Sequence, residues 1–444
     1  MRRVIFQTAF SGGIKVLGAG LTFLMFMCLA RAMSAEEYGR FAQMFSIGNF
    51  CALVALLGQH TRVLKRLSAA LEMENLEAAR TVFWQSWWVV VLFGALVSAA
   101  LVAAAPLLAA LVPGFDIWIL IGAACFILPF AFAELAASCL RVVGALLWAL
   151  VPRDILWRGA VVLLALAISG GLIAGLGAME VMAVISGMLM VFVLGQMLRI
   201  GKALPTALRQ RQGPRPERAI WTESAWLWAA SLVGVIGANL SVVVVGLFLS
   251  PTDSGAFFAA SKISQLLHLP TMAVSVVATP TVARLIERRA MAELQVFSRG
   301  LVVILAASAL GGALAICLSP GWVLSLLNPD FAFAGPALLL LTAGYLVAAF
   351  CGIPTILMLM SRGERTFVWY QGLFDGLGIL LIVPLLPLLG LEGAALGLLL
   401  GKIGWNIAAV RWCRRELGID PSLLVFLRPP PATPHSPDSP DSQA

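Results

Sequence analysis

Long apolar segments alternate with short polar stretches along the whole chain. Each apolar segment is close to the ~20 residues that a helix needs to cross the hydrocarbon core of a bilayer. Helices are expected because an open sheet edge in lipid would leave backbone groups without hydrogen bonds. The pattern predicts twelve membrane-spanning helices, at residues 5–30, 41–59, 82–107, 115–138, 140–163, 175–198, 222–249, 256–280, 300–327, 335–360, 366–389 and 391–411.

The composition agrees with a membrane protein. Of 444 residues, 61% are hydrophobic and 12% are charged, whereas soluble domains average ~45–50% apolar and ~25% charged residues. This excludes a soluble enzyme, a nucleic-acid-binding module, a disordered chain and a secreted disulfide scaffold. The seven cysteines form no CxxC pair and no cluster with histidine, so neither a metal site nor a cofactor is expected.

Positive charge is concentrated on one side of the predicted bundle. If the N-terminus is inside, the cytoplasmic side of the bundle holds 25 of the 30 Lys and Arg residues, only Arg31 and Arg40 fall on the opposite side, and Lys15, Lys262 and Lys402 fall inside spans. Lys and Arg favour cytoplasmic loops. The chain is therefore predicted to be a multi-pass inner-membrane protein with both termini cytoplasmic. Because Lys15 interrupts the first apolar segment, that segment is interpreted as a retained helix and not as a signal peptide.

The two halves of the chain are related. SAEEYGRF at 34–41 and SPTDSGAF at 250–257 share Ser, Gly and Phe, and each precedes an apolar helix and a basic segment. With six helices each, the halves would be parallel repeats around a central cavity, which is a transporter architecture. We predict an N-terminal six-helix bundle at 1–204, a cytoplasmic linker at 205–220, a C-terminal six-helix bundle at 221–415 and a disordered cytoplasmic tail at 416–444.

Three segments resemble a known family. LARAMSAEEYGRFAQMFSI at 29–47 resembles the first-loop signature of the oligosaccharide (polysaccharide) flippases, within the multidrug/oligosaccharidyl-lipid/polysaccharide exporter superfamily. RGERTFVWYQG at 362–372 and GLEGAALGLLLGKI at 390–403 resemble later segments of that family. The resemblance implies two six-helix bundles that open to alternate sides. It also implies a cargo such as an undecaprenyl-pyrophosphate-linked oligosaccharide.

Charged side chains inside spans are the candidate functional residues, because a lysine at mid-span costs about 2.5–3.5 kcal/mol on insertion scales. We expect a cationic, anion-binding cavity surface formed by Lys15, Lys262 and Lys402. The candidates for gating or ion coupling are Glu134, His268 and Asp375. The alternative for each is a structural ion pair or hydrogen bond between helices, for example between Asp375 and Lys402.

Three functions are consistent with the sequence. The first is a flippase whose partners are a lipid-linked oligosaccharide, membrane lipid, and the polymerase and chain-length proteins of the same pathway. The second is a cation-coupled multidrug antiporter, which favours acidic cavity residues and is disfavoured by the three lysines. The third is a membrane-embedded enzyme of polysaccharide synthesis, which would need a nucleophile or acid pair on outer loops. No P-loop occurs, so ATP hydrolysis is not expected, and the flippase is preferred.

Overall fold

The computed structural model describes residues 2–111, 116–203 and 218–427, with side chains for 13–111, 116–203, 228–229 and 231–426. Within these ranges the chain is helical and contains no strand. The predicted all-α polytopic fold is therefore confirmed. Most of the predicted linker, up to residue 217, and the predicted tail from residue 428 lie outside the described residues.

The described residues of the N-terminal half form eight helices. In chain order they are α1 (Arg2–Ala32), α2 (Ala35–Leu56), α3 (Gln59–Glu72), α4 (Leu76–Leu111), α5 (Ile117–Val142), α6 (Leu146–Val151), α7 (Arg158–Ser169) and α8 (Ala178–Ala203). A π-helical turn at Pro152–Trp157 joins α6 to α7 without a break.

Between residues 218 and 427, the C-terminal half forms nine further helices. They are α9 (Arg218–Phe248), α10 (Pro251–Gln265), α11 (Leu269–Glu287), α12 (Met291–Leu318), α13 (Pro320–Ser325), α14 (Gly335–Cys351), α15 (Pro354–Met360), α16 (Glu364–Leu389) and α17 (Leu391–Trp412). A single 3-10 turn, Leu266–His268, joins α10 to α11.

Among the described residues, ten helices are long and apolar enough to cross a membrane, or eleven if the bent pair α2–α3 is one span. The predicted segment 140–163 forms the helix from α6 through α7. The middle of this helix holds Arg153, Asp154 and Arg158, and these charges make it less apolar than the other spans. Each of the twelve predicted segments nevertheless corresponds to helix in the structure.

The connections after odd-numbered spans meet at one end of the molecule, which we call the odd-loop end. Arg40 lies 3.5 Å from the carboxylate of Asp116, and a Glu37 oxygen accepts a 2.6 Å hydrogen bond from the Ala178 N–H. Arg31 Nε donates to the Leu326 carbonyl at 2.6 Å. These contacts link the first, third, fifth and ninth connections, as an alternating up-and-down arrangement requires.

The repeat predicted from residues 34–41 and 250–257 has a structural counterpart. Ser34 accepts a hydrogen bond from the Glu37 N–H at the start of α2, and Ser250 caps α10 through a capping box with Asp253. Gly39 and Gly255 face each other where α2 crosses α10. A Cβ built on Gly39 would lie 1.7 Å from a backbone oxygen of α10, so glycine is what lets the two halves approach this closely.

The last two spans pack through a similar glycine contact. A Cβ on Gly397 of α17 would lie 2.6 Å from the Gly378 oxygen of α16, and a Cβ on Gly401 would lie 2.8 Å from the Phe374 oxygen. Small residues at such spacing allow backbones to approach closely in a membrane. The contact fixes the face of α17 that carries Lys402.

The chain remains ordered beyond the last span. Gln295 exchanges two 2.8 Å hydrogen bonds with the backbone of Asp420, and the Asp420 carboxylate forms a 2.6 Å salt bridge with Arg414. Ile419 is 1% exposed. Residues 416–427, the first part of the predicted tail, are thus anchored against the C-terminal half, because they bury apolar surface and satisfy their backbone groups.

Candidate functional site

Charged and aromatic side chains within the bundle form three groups, which we name here. The N-half ionic cluster consists of His60, Glu134, Arg141, Arg153, Asp154 and Arg158. The C-half polar cluster consists of His268, Tyr345, Asp375 and Lys402. The aromatic seam joins the halves and consists of Phe26, Tyr38, Phe41, Phe45, Phe258 and Phe331.

Arg153 is the centre of the N-half ionic cluster. Its guanidinium forms a salt bridge with Glu134 of α5, and its Nε donates to an Asp154 oxygen at 3.0 Å. Arg158 also lies 3.5 Å from the Asp154 carboxylate. The Arg153 and Asp154 side chains are only 14% and 7% exposed, and charges buried to this extent need such partners. The two carboxylates are therefore shared between two arginines.

The π-helical turn places these residues. Such turns insert an extra residue into a helix and are frequent at functional sites. Trp157, at the end of the turn, donates from Nε1 to the Ile185 carbonyl of α8 at 2.9 Å. Arg158 reaches α1 and donates to the Gly18 carbonyl at 2.8 Å. A Cβ on Gly18 would lie 2.8 Å from that Arg158 nitrogen, so the glycine leaves room for the guanidinium.

Lys15 lies one helical turn before this contact. Its neighbour Ile14 is buried in the N-half core, whereas Lys15 itself is exposed. With the described residues it makes no hydrogen bond or salt bridge. The ammonium is therefore accessible from outside the helix packing, and its anion-binding role stays a prediction.

Lys402 and Asp375 belong to the C-half polar cluster without forming a direct salt bridge between the described side chains. The Lys402 ammonium lies 4.1 Å from the centre of the Tyr345 ring, a cation–π contact. A Cβ built on Gly344 of α14 would lie 3.0 Å from Lys402 Cδ. Because glycine has no Cβ, the Lys402 side chain has room to lie along α14. Asp375 interacts with Lys402 electrostatically at longer range and faces Gly237 of α9.

His268 lies at the break in the eighth predicted span. Its ring centre is 6.2 Å from that of Tyr345, and it is exposed, whereas Ser261 one segment earlier is buried. Pro270 follows in the first turn of α11. Because proline lacks an N–H, the helical ladder is interrupted here. The polar residues Ser261 on α10 and Thr279 on α11 therefore do not lie along one continuous helix face.

Lys262 contacts the aromatic seam. Its ammonium lies 5.3 Å and 4.7 Å from the ring centres of Phe26 and Phe258, which belong to different halves. The two rings are 4.9 Å apart and edge-to-face. Nearer the odd-loop end, the Tyr38 ring lies 5.6 Å from Phe331. The aromatic seam thus closes the boundary between the halves, with one cation on its surface.

The structure brings together His268, Asp375 and Lys402 among the predicted residues, and it places Glu134 in a separate cluster. Sequence reasoning missed His60 and Tyr345. His60 follows Leu57 and Gly58, whose backbone is left-handed. A glycine followed by a run of polar residues could have marked this break between α2 and α3. Tyr345 lies within an apolar helix, where no sequence pattern distinguishes it.

The three groups carry an excess of positive charge. The N-half ionic cluster has three guanidinium groups and two carboxylates, and Lys262 has no acidic contact. Cations in a low-dielectric setting attract an anion more strongly than they do in water. No group of three or more His, Cys, Asp or Glu side chains that could hold a metal ion occurs in the described part of the chain. The arrangement suits an anionic ligand.

Comparison with known proteins gives a family match. The model of the family described as polysaccharide biosynthesis protein matches residues 7–286. A probable flippase of Haloferax volcanii, AglR, is 28% identical over 196 residues. That stretch is 43% of this chain and only 40% of the relative's length.

Solved transporters share the fold. An inward-facing multidrug resistance MATE transporter of the MOP superfamily aligns with TM-score 0.69 and 16% identity, covering 90% of this chain and 94% of that one. An outward-facing MATE transporter aligns with TM-score 0.62 and 14% identity, covering 93% and 95%. A Pyrococcus furiosus MOP transporter, described by the reverse polarity of its binding pocket, aligns with TM-score 0.55 and 13% identity, covering 91% and 98%.

Proposed function

The chain belongs to the polysaccharide biosynthesis protein family, and from this premise we propose that it is a flippase for a lipid-linked oligosaccharide of the undecaprenyl-pyrophosphate type. It is a multi-pass membrane protein with the fold of MOP transporters. We assign it to the inner membrane with both termini cytoplasmic, so that the odd-loop end faces outward. The positive-inside distribution of Lys and Arg supports this orientation.

The single observation that carries the proposal is the excess of cations within the membrane-spanning part of a chain from this family. Arg141, Lys15 and Lys262 form no salt bridge with the described side chains. Charges placed in spans are expensive and mark functional pathways. A pyrophosphate linkage carries the complementary charge.

The cargo explains why such a protein needs two separable halves. Its sugars and pyrophosphate cannot cross hydrocarbon unaided, whereas its polyprenyl tail can remain in lipid. Rocking of the halves would expose the polar clusters first to one side and then to the other. The aromatic seam and the Arg31–Leu326 hydrogen bond hold the odd-loop end closed, so this conformation would accept cargo from the cytoplasmic side.

A multidrug antiporter of the same fold is the alternative. Cationic drugs would be repelled by unpaired lysines and arginines, since like charges in an interface oppose binding. The Pyrococcus furiosus transporter shows in its description that pocket polarity differs between members of this superfamily. Fold similarity therefore leaves the cargo open, and the charge excess favours an anionic one.

Replacement of Lys15 or Lys262 with Ala tests the proposal. In cells that depend on this protein, each variant is expected to cause lipid-linked oligosaccharide to accumulate in the inner leaflet, because the anionic linkage loses a cationic contact. Resistance to cationic dyes should not change. If both variants export normally, the assignment of these lysines is wrong. If the wild type confers dye resistance and moves no oligosaccharide, the antiporter is the correct function.

A further inference from the structure

One arginine of the N-half ionic cluster, Arg141, interacts with Glu134 and Asp154 only at longer range and forms no direct salt bridge with them. Arg153 binds both Glu134 and Asp154, and Arg158 binds Asp154 and the Gly18 carbonyl. Both carboxylates are therefore occupied. Among the described residues Arg141 makes no hydrogen bond or salt bridge, and its Nε is buried without an acceptor. A buried donor without an acceptor costs free energy, and a bound anion would remove that cost.

His60 connects Arg141 to the boundary between the halves. It interacts electrostatically with Arg141, Glu134 and Arg153, and its Nε2 lies 3.4 Å from the Ser231 hydroxyl of α9 in the other half. Its Nδ1 is buried and has no hydrogen-bonding partner among the described residues. In the tautomer in which Nε2 accepts from the Ser231 hydroxyl, Nδ1 carries the proton and is a second donor without an acceptor, at the place where the two halves meet.

The location suits the entry of a cargo from the cytoplasmic side. Arg141 is the penultimate residue of α5, at the end opposite the odd-loop end. The odd-loop end is closed by the aromatic seam and by hydrogen bonds of Arg31 and Asn328 across the halves. An anion that enters between the halves from the even-loop end would meet Arg141 and His60 before it meets the aromatic seam.

We propose that Arg141 and His60 form a binding subsite for the pyrophosphate group of the cargo, a proposal that rests on the proposed function. A guanidinium presents two parallel N–H donors to phosphate oxygens, and a lysine there would offer only a point charge. His60 supplies a further donor from Nδ1. Glu134 limits the affinity by its negative charge, so that the pyrophosphate can leave again after transport.

Binding of prenyl pyrophosphate to the full-length protein in phosphatidylcholine nanodiscs tests the subsite. Arg141→Gln is expected to weaken binding of farnesyl pyrophosphate and of inorganic pyrophosphate about tenfold or more, the loss of one charge-assisted contact. Arg141→Lys should recover part of the loss. Lys65→Gln removes an exposed cation of α3 and serves as the matched control, with unchanged affinity expected.

Glu134→Gln distinguishes ligand binding from a structural role. Removing this carboxylate should strengthen pyrophosphate binding, because it leaves the cations of the cluster less compensated. A merely structural cluster would give weaker or unchanged binding in this variant. Unchanged affinity in Arg141→Gln would overturn the subsite. So would full competition by phosphatidylglycerol added to the nanodiscs, since the site would then hold a membrane-lipid headgroup.

The outcomes distinguish failure of the subsite proposal from failure of the flippase proposal. If the wild type exports oligosaccharide and Arg141→Gln binds pyrophosphate as the wild type does, the subsite is wrong and the flippase proposal stands. If the wild type binds no pyrophosphate, the subsite is overturned directly. If pyrophosphate binding depends on Arg141 and no oligosaccharide is exported, the subsite is supported and the flippase proposal fails.

Discussion

Arg153 shows how a single residue organises charge inside the N-terminal half. It is 14% exposed and forms salt bridges with two carboxylates from different segments, Glu134 and Asp154. A buried pair of this kind is not in itself a strong source of stability. Removal of one member, however, leaves the other charges buried and uncompensated. The residue therefore determines which cations remain free for a ligand.

We expect Arg153→Met to lower the melting temperature of the purified protein in detergent. Breaking a buried ion pair costs about 3–5 kcal/mol. The double variant Arg153→Met/Glu134→Gln should recover part of the loss, since Asp154 retains Arg158. Lys65→Met, at an exposed position, is the control. A melting temperature for Arg153→Met equal to that of the control would contradict the central place given to this arginine.

At the same scale, the sequence predicted which charged residues matter better than it predicted which side chains they contact. Glu134, Asp375 and Lys402 stand out because charges in apolar segments are rare. Lys402 was expected near Asp375, yet it lies on the Tyr345 ring. The reason is a glycine on another helix, Gly344, which opens space beside α14. Such a cross-helix effect has no local sequence pattern, and the same holds for His60 and Ser231.

At the scale of elements, hydropathy predicted the helices well because it is a local property. The serine caps of α2 and α10 and the apolar stretches between them are visible in the sequence. The break at Leu266–His268 is also local, since Pro270 marks it. The π-helical turn at Pro152–Trp157 is not a local feature of the sequence. Its charged side chains contact residues of α5 and α1, which are distant in the chain.

The crossing of α2 and α10 makes a prediction at this scale. Gly39→Ala should destabilise the protein and reduce transport, because its Cβ would lie 1.7 Å from a backbone oxygen and the helices would have to separate. Gly255→Ala should have a smaller effect, since its closest contact would be 3.0 Å. Melting temperature and export are the measurements.

Gly20→Ala is the matched control for these two variants. A Cβ on Gly20 meets nothing within 4 Å, and alanine raises helix propensity by about 1 kcal/mol over glycine. It should leave the melting temperature unchanged or raise it. Equal effects of Gly39→Ala and Gly20→Ala would show that the two halves are not in close contact at this crossing.

At the scale of the whole molecule, the N- and C-terminal halves meet along α2 and α10 and are closed at the odd-loop end by the aromatic seam. Each half carries its own polar cluster, and no described salt bridge joins the two clusters. This arrangement fits a transporter that alternates its opening, with cations available to an anionic cargo.

Reconstitution of the purified protein in liposomes with a fluorescent lipid-linked oligosaccharide tests this account most directly. Movement of the label between leaflets is measured by its protection from a membrane-impermeant quencher. The account predicts transfer that needs the protein and that slows in Arg141→Gln. Transfer no faster than in protein-free liposomes, in a preparation that does transport a cationic dye, would contradict it.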